Sequence, residues 1–440
     1  MFMKKSEFDI IVVGAGVAGG VYAASQSKDK KILVIERDLT EPDRIIGELM
    51  QPGGVQSLEQ MGLKHLLDGI DAQQVDGYQL IKGDQNFNIF YKEIEQGISG
   101  VGLRNGKFLT NIREEIKSRD NITVFEGNVV ELIEEDEVIK GVKYKSSSGD
   151  MLEQRAPLTV VCDGPMSFFR KKLSVPNKHV TSYFMGLVLR DLDLKFPSLG
   201  HMIVTGDAPI LVYPIHDNAY RILIDYPGEK PPRIGTKSIE KFKTEISAVL
   251  PEEMRASFIK AIDNDQLKVM PNHSMKAQAF RKKGAVLLGD SFNMRHPVTG
   301  GGMTATFTDI ISLNKAFENV DLSDEAKVEL AIQSYYINRS EKVETINILA
   351  NALYKVFRDE DLKDAVFEYL QRGGEKSTGP LSLLAGINRN KKYLLKHFFK
   401  VALQHPIHFV TKPRKQMRLY KSAVGIIRPI LKEEERPAIV

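Results

Sequence analysis

The chain has 440 residues, 42% of them hydrophobic and 27% charged, which excludes both a disordered chain and a single small domain. Its one cysteine, Cys162, excludes an internal disulfide and a cysteine-based metal cluster, and its nine histidines show no metal-ligand spacing. The formal net charge of +4 is unevenly placed: Gly386 to Lys432 holds twelve Lys or Arg and no Asp or Glu, an asymmetry that signals a partner rather than a fold. Nucleic acid is not the expected partner, because these cations are mixed with Leu and Phe instead of forming a plain basic arm. No cleavable signal is read, since the first strand opens near Asp9. No apolar run reaches the ~18–20 residues that span a bilayer.

Ile10 to Val13, a short apolar β-branched run, predicts a buried strand. Gly14, Gly16 and Gly19 follow as G-x-G-x-x-G, and Val17 to Gln26 predicts a helix. A second apolar run, Ile32 to Ile35, ends in Glu36. Each part has a physical role. Gly14 permits a tight turn, Gly16 lets the backbone approach a pyrophosphate, and Gly19 lets helix and strand pack closely. The helix N-terminus offers free N–H groups to the phosphates. Glu36 stands where a carboxylate accepts from the ribose hydroxyls and repels a 2′-phosphate, so the nucleotide is FAD or NAD rather than NADP.

Val55 to Met61 predicts a helix after the Gly47–Gly54 loop. Gly77 to Ile81 and Phe87 to Tyr91 predict a hairpin, and Lys107 to Arg119 a helix. Ile122 to Phe125, Val129 to Ile133 and Val138 to Tyr144 predict strands, with Glu134 to Glu137 as a solvated acidic tip. Leu158 to Gly164 predicts a buried strand ending in Asp-Gly. Ser182 to Leu189, Ile210 to Tyr213 and Tyr220 to Ile224 alternate as an antiparallel sheet, and Lys237 to Leu250 predicts a helix. Gly284 to Asp290 returns to a buried parallel strand, followed by helices over Met303 to Phe317 and Asp324 to Tyr336. Beyond Glu341 only helical periodicity is read. This order predicts an α/β chain: a discontinuous Rossmann-type nucleotide domain (1–165 and 280–340), an inserted antiparallel-sheet substrate domain (166–279), and a C-terminal helical region (341–440).

A second constellation narrows the nucleotide. The strand ending in Gly289-Asp290 leads through an irregular loop to Thr299-Gly300-Gly301-Gly302-Met303, which opens a helix. Asp290 can hold a sugar-alcohol hydroxyl. The glycines let the backbone approach a flat ring, and the helix start favours negative charge on it. NAD has no ribityl chain to satisfy such an acid, so the pair of motifs points to FAD.

Glu36 to Arg44, Gly47-Glu-Leu-Met-Gln-Pro-Gly-Gly54, Leu158-Thr-Val-Val-Cys-Asp-Gly164 and Gly289 to Met303 together resemble the squalene epoxidase (squalene monooxygenase) family, over about Phe8 to residue 410. The resemblance implies a flavin hydroxylase-like fold and roles for individual residues. Gly16 and Val17 would touch the pyrophosphate, with Gly14 and Gly19 shaping the turn. Glu36 and Arg37 would hold the adenosine end. Arg44, Arg113 and Val129 would complete the FAD contacts. Asp290, Gly301, Gly302 and Met303 would serve the ribityl and ring side. Tyr78 and Gln51 would hydrogen-bond each other beside the ring at the substrate pocket, with Pro297 nearby. The implied reaction inserts one atom of O₂ into a terminal double bond of squalene through a C4a-hydroperoxyflavin, giving (S)-2,3-oxidosqualene in sterol biosynthesis. No metal and no protein nucleophile is called for.

One G-x-G-x-x-G and no nicotinamide domain imply electrons from NADPH through a partner, NADPH–cytochrome P450 reductase. The expected location is the cytosolic face of the endoplasmic reticulum membrane, or microsomes or lipid droplets. Animal and fungal members carry an N-terminal membrane segment with no counterpart read here, and Lys107 stands in a Gly-Lys-Phe where Arg is usual. Monotopic attachment is therefore expected from the C-terminal helices. Lys392, Lys396 and Lys400 share one face there, and Leu394, Leu395, Phe398, Phe399 and Ala402 fill another, with Lys412 to Lys415 and Arg418 beyond. Two other readings stay open at this stage. One is another FAD-dependent hydroxylase or prenyl-chain reductase of the same fold; the other is a flavin-free prenyl-binding chaperone.

Overall fold

A computed structural model describes residues 7–175, 177–206, 208–233, 235–264, 266–403 and 413–440. The four apolar runs that read as buried strands form the centre of a seven-stranded sheet. Ile10–Val13 pairs in parallel with Ile32–Glu36 on one side and Leu158–Val161 on the other, and Ala285–Leu287 pairs with Leu158–Val161. Every residue of Ile10–Val13 and Leu158–Val161 is buried, as expected of strands covered on both faces by helices. Ile122 to Ile133, read as two strands, is one long strand, Ile122–Glu135. Its first half pairs in parallel with Ile32–Glu36 and its second half antiparallel with Val138–Ser146. Met151–Arg155 completes the edge.

A second seven-stranded sheet has the order Lys268–Ser274, His179–Arg190, Ala219–Pro227, Ile210–His216, Leu199–Ile203, Gly77–Lys82, Gln85–Phe90. Two features differ from the sequence expectation. The Gly77–Phe90 hairpin, which lies within 1–165, belongs to this sheet. The sheet is also not wholly antiparallel, because Leu199–Ile203 runs parallel to Gly77–Lys82. The physical reason is visible at Gly77, which has φ +153°. A Cβ there would lie 2.1 Å from the Ile89 carbonyl, so only glycine allows the hairpin this register.

One face of the second sheet packs Met185, Leu187, Val212 and Ile222 under the helices Thr236–Val249 and Glu252–Asp263. The other face carries Tyr78, Leu80, Phe184, Met202 and Tyr213 toward the C-terminal helices. A small sheet of Leu49–Met50, Gly100–Gly102 and Gln73–Val75 lies in the loop region between. Its two- and three-residue strands are too short to show a period.

The helix expected over Asp324 to Tyr336 runs on to Val356, so position 340 falls inside one unbroken 32-residue helix. The two regions are joined by rigid helix, not by a linker. Arg339, midway along it, is buried and makes paired hydrogen bonds to Asp309 of the helix Gly302–Ala316 at 2.8 and 2.9 Å. It reaches Asn293 Oδ1 at 3.2 Å as well. Helices Glu360–Gln371, Glu375–Leu384, Lys391–Ala402 and Pro413–Glu434 close the structure.

The apolar face expected to lie among lipid chains turns inward. Leu394 and Ala402 are buried, and Leu395, Phe398 and Phe399 pack half-buried on the neighbouring helices. Lys396 and Lys400 are paired with Glu375, and Arg418 with Asp361. Lys412 lies outside the described residues. No helix among the described residues is long and apolar enough to cross a membrane.

Breaking a buried ion pair by removing one partner strands the other charge and costs about 3–5 kcal/mol. Asp309→Ala is expected to lower stability in chemical denaturation by that order. The double variant Asp309→Leu/Arg339→Met, which removes both charges, should recover most of the loss.

Candidate active site

The glycine-rich turn after Ile10–Val13 is shaped by close contact. Gly14 has φ +100°, and a Cβ there would come 2.7 Å from the Cys162 carbonyl; one on Gly19 would come 2.0 Å from the Gly14 carbonyl. At Gly16 a Cβ would meet nothing within 4 Å, so this backbone is open to a cleft. Glu36 Oε2 accepts the Ala15 N–H at 2.6 Å, which places the acid at the end of the second strand against the turn. The cleft, of about 2010 Å³, brings together Gly16, Val17, Arg44, Asp290, Gly302 and Met303 from the two sequence constellations, and Pro297 and Tyr78 from the ring side. A Cβ on Gly302 would likewise meet nothing within 4 Å. Two open glycine backbones, each at a helix start, with Glu36 at one end and the exposed Asp290 at the other, fit an extended dinucleotide such as FAD.

Four other expected contacts stand differently. Arg113 is buried and spends its guanidinium on the carbonyls of Ala15, Asp38 and Thr40 at 3.3, 3.1 and 2.7 Å. A buried guanidinium needs its donors satisfied, and these bonds brace the turn from behind, outside the cleft wall. Val129 packs in the core of the first domain, and Arg37 is exposed at the strand end. Gly301 sits against Ile346, with a Cβ position 2.9 Å from that side chain.

Tyr78 and Gln51 meet as expected. Gln51 Nε2 donates to the Tyr78 hydroxyl at 2.6 Å and to the Thr299 carbonyl at 2.7 Å. A third partner was not legible in the sequence: the Tyr91 hydroxyl donates to Gln51 Oε1 at 2.6 Å. This bond fixes which end of the amide faces Tyr78. Tyr91 lies at the end of the hairpin, fully buried, with its ring edge-on to Tyr78 at 6.1 Å. Its only sequence signal was a place in a strand. Burial pushes both tyrosine hydroxyls above their ordinary value, Tyr91 well above, so both stay protonated and neither serves as a general base.

His296, also missed, supports the loop that carries Pro297. Its Nε2 lies 2.9 Å from Ser182 Oγ, which donates to Asp225, and Asn272 donates to both Ser182 and Asp225. The imidazole stacks on Tyr354 at 4.0 Å, and burial pulls its pKa down from the ordinary value. The second sheet, the ring-side loop and the long helix therefore converge on one buried imidazole.

The model of the squalene epoxidase family matches residues 155–422, and that of glucose inhibited division protein A matches residues 9–199. Squalene epoxidase 3 of Arabidopsis thaliana is 42% identical over 98% of this chain and 85% of its own.

The chain belongs to the squalene epoxidase family.

Squalene epoxidase erg1 of Schizosaccharomyces pombe is 39% identical over 91% of each chain, and squalene monooxygenase of Mus musculus 36% over 97% of this chain and 78% of its own. Solved structures agree on the fold. Klebsiella pneumoniae HpxO complexed with FAD superposes with a TM-score of 0.68 at 17% identity, covering 86% of this chain and 99% of that one. The p-nitrophenol 4-monooxygenase PnpA of Pseudomonas putida gives 0.69 at 15%, covering 88% and 100%. Family and fold together make the chain an FAD-dependent monooxygenase.

Tyr91→Phe leaves Gln51 Oε1 buried without a donor, a loss of about 1–3 kcal/mol. The variant is expected to melt lower and to turn over severalfold more slowly, with FAD affinity close to wild type. Kinetics and melting both equal to wild type would show that the amide needs no third partner.

Proposed function

We propose that the chain epoxidises the terminal double bond of squalene with O₂ to (S)-2,3-oxidosqualene, in sterol biosynthesis. One observation carries this reading. Beside the cofactor cleft lies a second cavity of about 1020 Å³ with almost wholly apolar walls, and Tyr78 is the one residue that lines both. Its walls include Leu80 and Ile89 of the hairpin, Leu353 and Phe357 of the long helix, Phe367, and Leu384. A long hydrocarbon gains about 25 cal/mol per Å² of surface withdrawn from water, and such a wall offers it no competing polar group. Lys363 contributes only its stem, because its ammonium is capped by the carbonyls of Thr205 and Gly206 and by Glu360.

FAD, held by Gly16, Val17, Glu36, Arg44, Asp290, Gly302 and Met303, supplies the redox chemistry when bound. The chain's own residues do the rest. The apolar cavity delivers a chain end to the Tyr78 boundary and keeps water from it. Gln51, locked by Tyr91 and Thr299, holds Tyr78 in place. One oxygen atom enters the alkene, and the other leaves as water. Arg37, Arg113, Val129, Gly14, Gly19 and Gly301 shape the nucleotide site, and Pro297 borders substrate and ring.

Electrons come from NADPH through NADPH–cytochrome P450 reductase. The chain works at the cytosolic face of the endoplasmic reticulum membrane as a monotopic protein, because squalene has to be collected from lipid. With the apolar face of Lys391–Ala402 turned inward, the surface that supports lipid contact is on Pro413–Glu434. There Met417 and Tyr420 are exposed among Arg414, Lys415, Arg418 and Lys421.

Supplied with squalene, FAD, NADPH, reductase and isotopically labelled O₂, the protein should yield a product carrying one labelled oxygen by mass spectrometry. Unchanged squalene alongside oxidation of some other alkene or arene would overturn the substrate assignment. Met417→Ser/Tyr420→Ser is expected to reduce flotation with anionic vesicles while flavin content and melting temperature stay unchanged; undiminished flotation would move the lipid contact elsewhere.

A further inference from the structure

Met166 and Phe168 are 73% and 74% exposed, the highest values among the exposed large hydrophobic residues described. They sit in the loop after the strand Leu158–Val161, and the mechanism above gives them no task. The same loop walls the cofactor cleft through Gly164, Pro165 and Met166, facing Asp290 and Gly302. It contributes nothing to the apolar cavity, which is closed by the C-terminal helices.

The loop is braced. Buried Arg170 donates to the carbonyls of Gly164, Pro165, Asp290 and Ser291 at 2.9–3.1 Å. Lys178 donates to Pro165 O at 3.2 Å, and the Phe168 N–H is capped by Asp163 Oδ2 at 2.9 Å. Exposed apolar side chains on a pre-ordered backbone lose little entropy when covered, which is how interface hot spots work. Charge surrounds the tip: Gly164 to Lys178 holds four Lys or Arg and no Asp or Glu. Of these, Arg170 is buried and Lys172 is paired with Glu134, while Lys171 projects exposed.

We propose that Met166, Phe168 and Lys171 form the docking point for an acidic electron-donor protein. This rests on the reading that electrons arrive from a separate reductase. Two observations favour such a partner over a lipid surface. The tip stands on the wall of the cofactor cleft, where a donor must come close, and not at the helix-walled cavity through which a hydrocarbon is fed. Arg170 also joins the tip to the Asp290 and Ser291 carbonyls, so the covered surface and the nucleotide site are one rigid unit. An acidic donor surface would be steered by the cationic collar, in a way that salt screens.

The test uses the full-length FAD-loaded protein and purified NADPH–cytochrome P450 reductase without squalene, so its outcome is separate from that of the substrate assignment. Phe168→Ser should weaken binding of the reductase at least tenfold in an interferometry titration. Lys171→Glu should weaken it more at low than at high salt. Both variants should retain wild-type flavin content, melting temperature, reduction by dithionite and flotation with anionic vesicles. Wild-type reductase affinity in both variants would overturn the proposal. So would loss of flotation with reductase binding intact, which would assign the tip to lipid. Failure of the wild-type protein itself to bind the reductase would overturn it too, leaving the epoxidation reading to its own product assay.

Discussion

A single buried amide ties this structure together. Gln51 has two N–H donors and one acceptor oxygen, and all are engaged: by Tyr78, by the Thr299 carbonyl and by Tyr91. Those partners lie on the hairpin of the second sheet and on the loop that opens the ring-side helix, up to 248 positions away. The same loop as Gln51 reaches the C-terminal helices, where the Gly53 N–H donates to the Ala385 carbonyl at 2.8 Å and leaves no room for a side chain. A buried amide that lost any of these partners would bear an unmet desolvation cost, so the segments hold one another in register.

That register separates two kinds of space. On one side is a cleft of glycine backbone, helix N-termini and carboxylates, suited to a charged dinucleotide. On the other is a cavity of Leu, Val, Ile and Phe, suited to a hydrocarbon. Joining them through Tyr78 lets a reactive oxygen and an apolar chain meet with little water present. The buried ion pairs sit at the seams of this arrangement. Arg339 with Asp309 fixes the long helix to the ring-side helix. Glu48 with Arg221, at 2.6 and 3.0 Å, fixes the Gln51 loop to the second sheet.

The C-terminal region shows how a surface pattern becomes an interior one. On Lys391–Ala402 the lysine and leucine–phenylalanine faces are separated as a lipid-seeking helix would have them. In the folded chain the apolar face covers the helices beneath, and Glu375 neutralises Lys396 and Lys400. An amphipathic period states only that one face leaves water; it does not name what covers that face.

The sequence by itself determined what is local. Four β-branched runs each lead into a glycine, an acid or both, so the parallel strands, the turn at Gly14 to Gly19 and the end positions of Glu36 and Asp290 were legible within a dozen residues each. Motif resemblance extended that reading to the Gln51–Tyr78 pair. Tertiary structure alone decided what depends on distant partners. The Gly77–Phe90 hairpin joins the second sheet because Leu199–Ile203 pairs with it. Arg113 turns to carbonyls because its guanidinium is buried among them, and Tyr91 acquires a role only once Gln51 is brought beside it. The helix from Glu325 crosses position 340 without a break because neither Pro nor Gly interrupts it and Asp309 waits for Arg339. Periodicity reports which face of a segment is dry; only the folded chain supplies the partner that the buried polar atoms require.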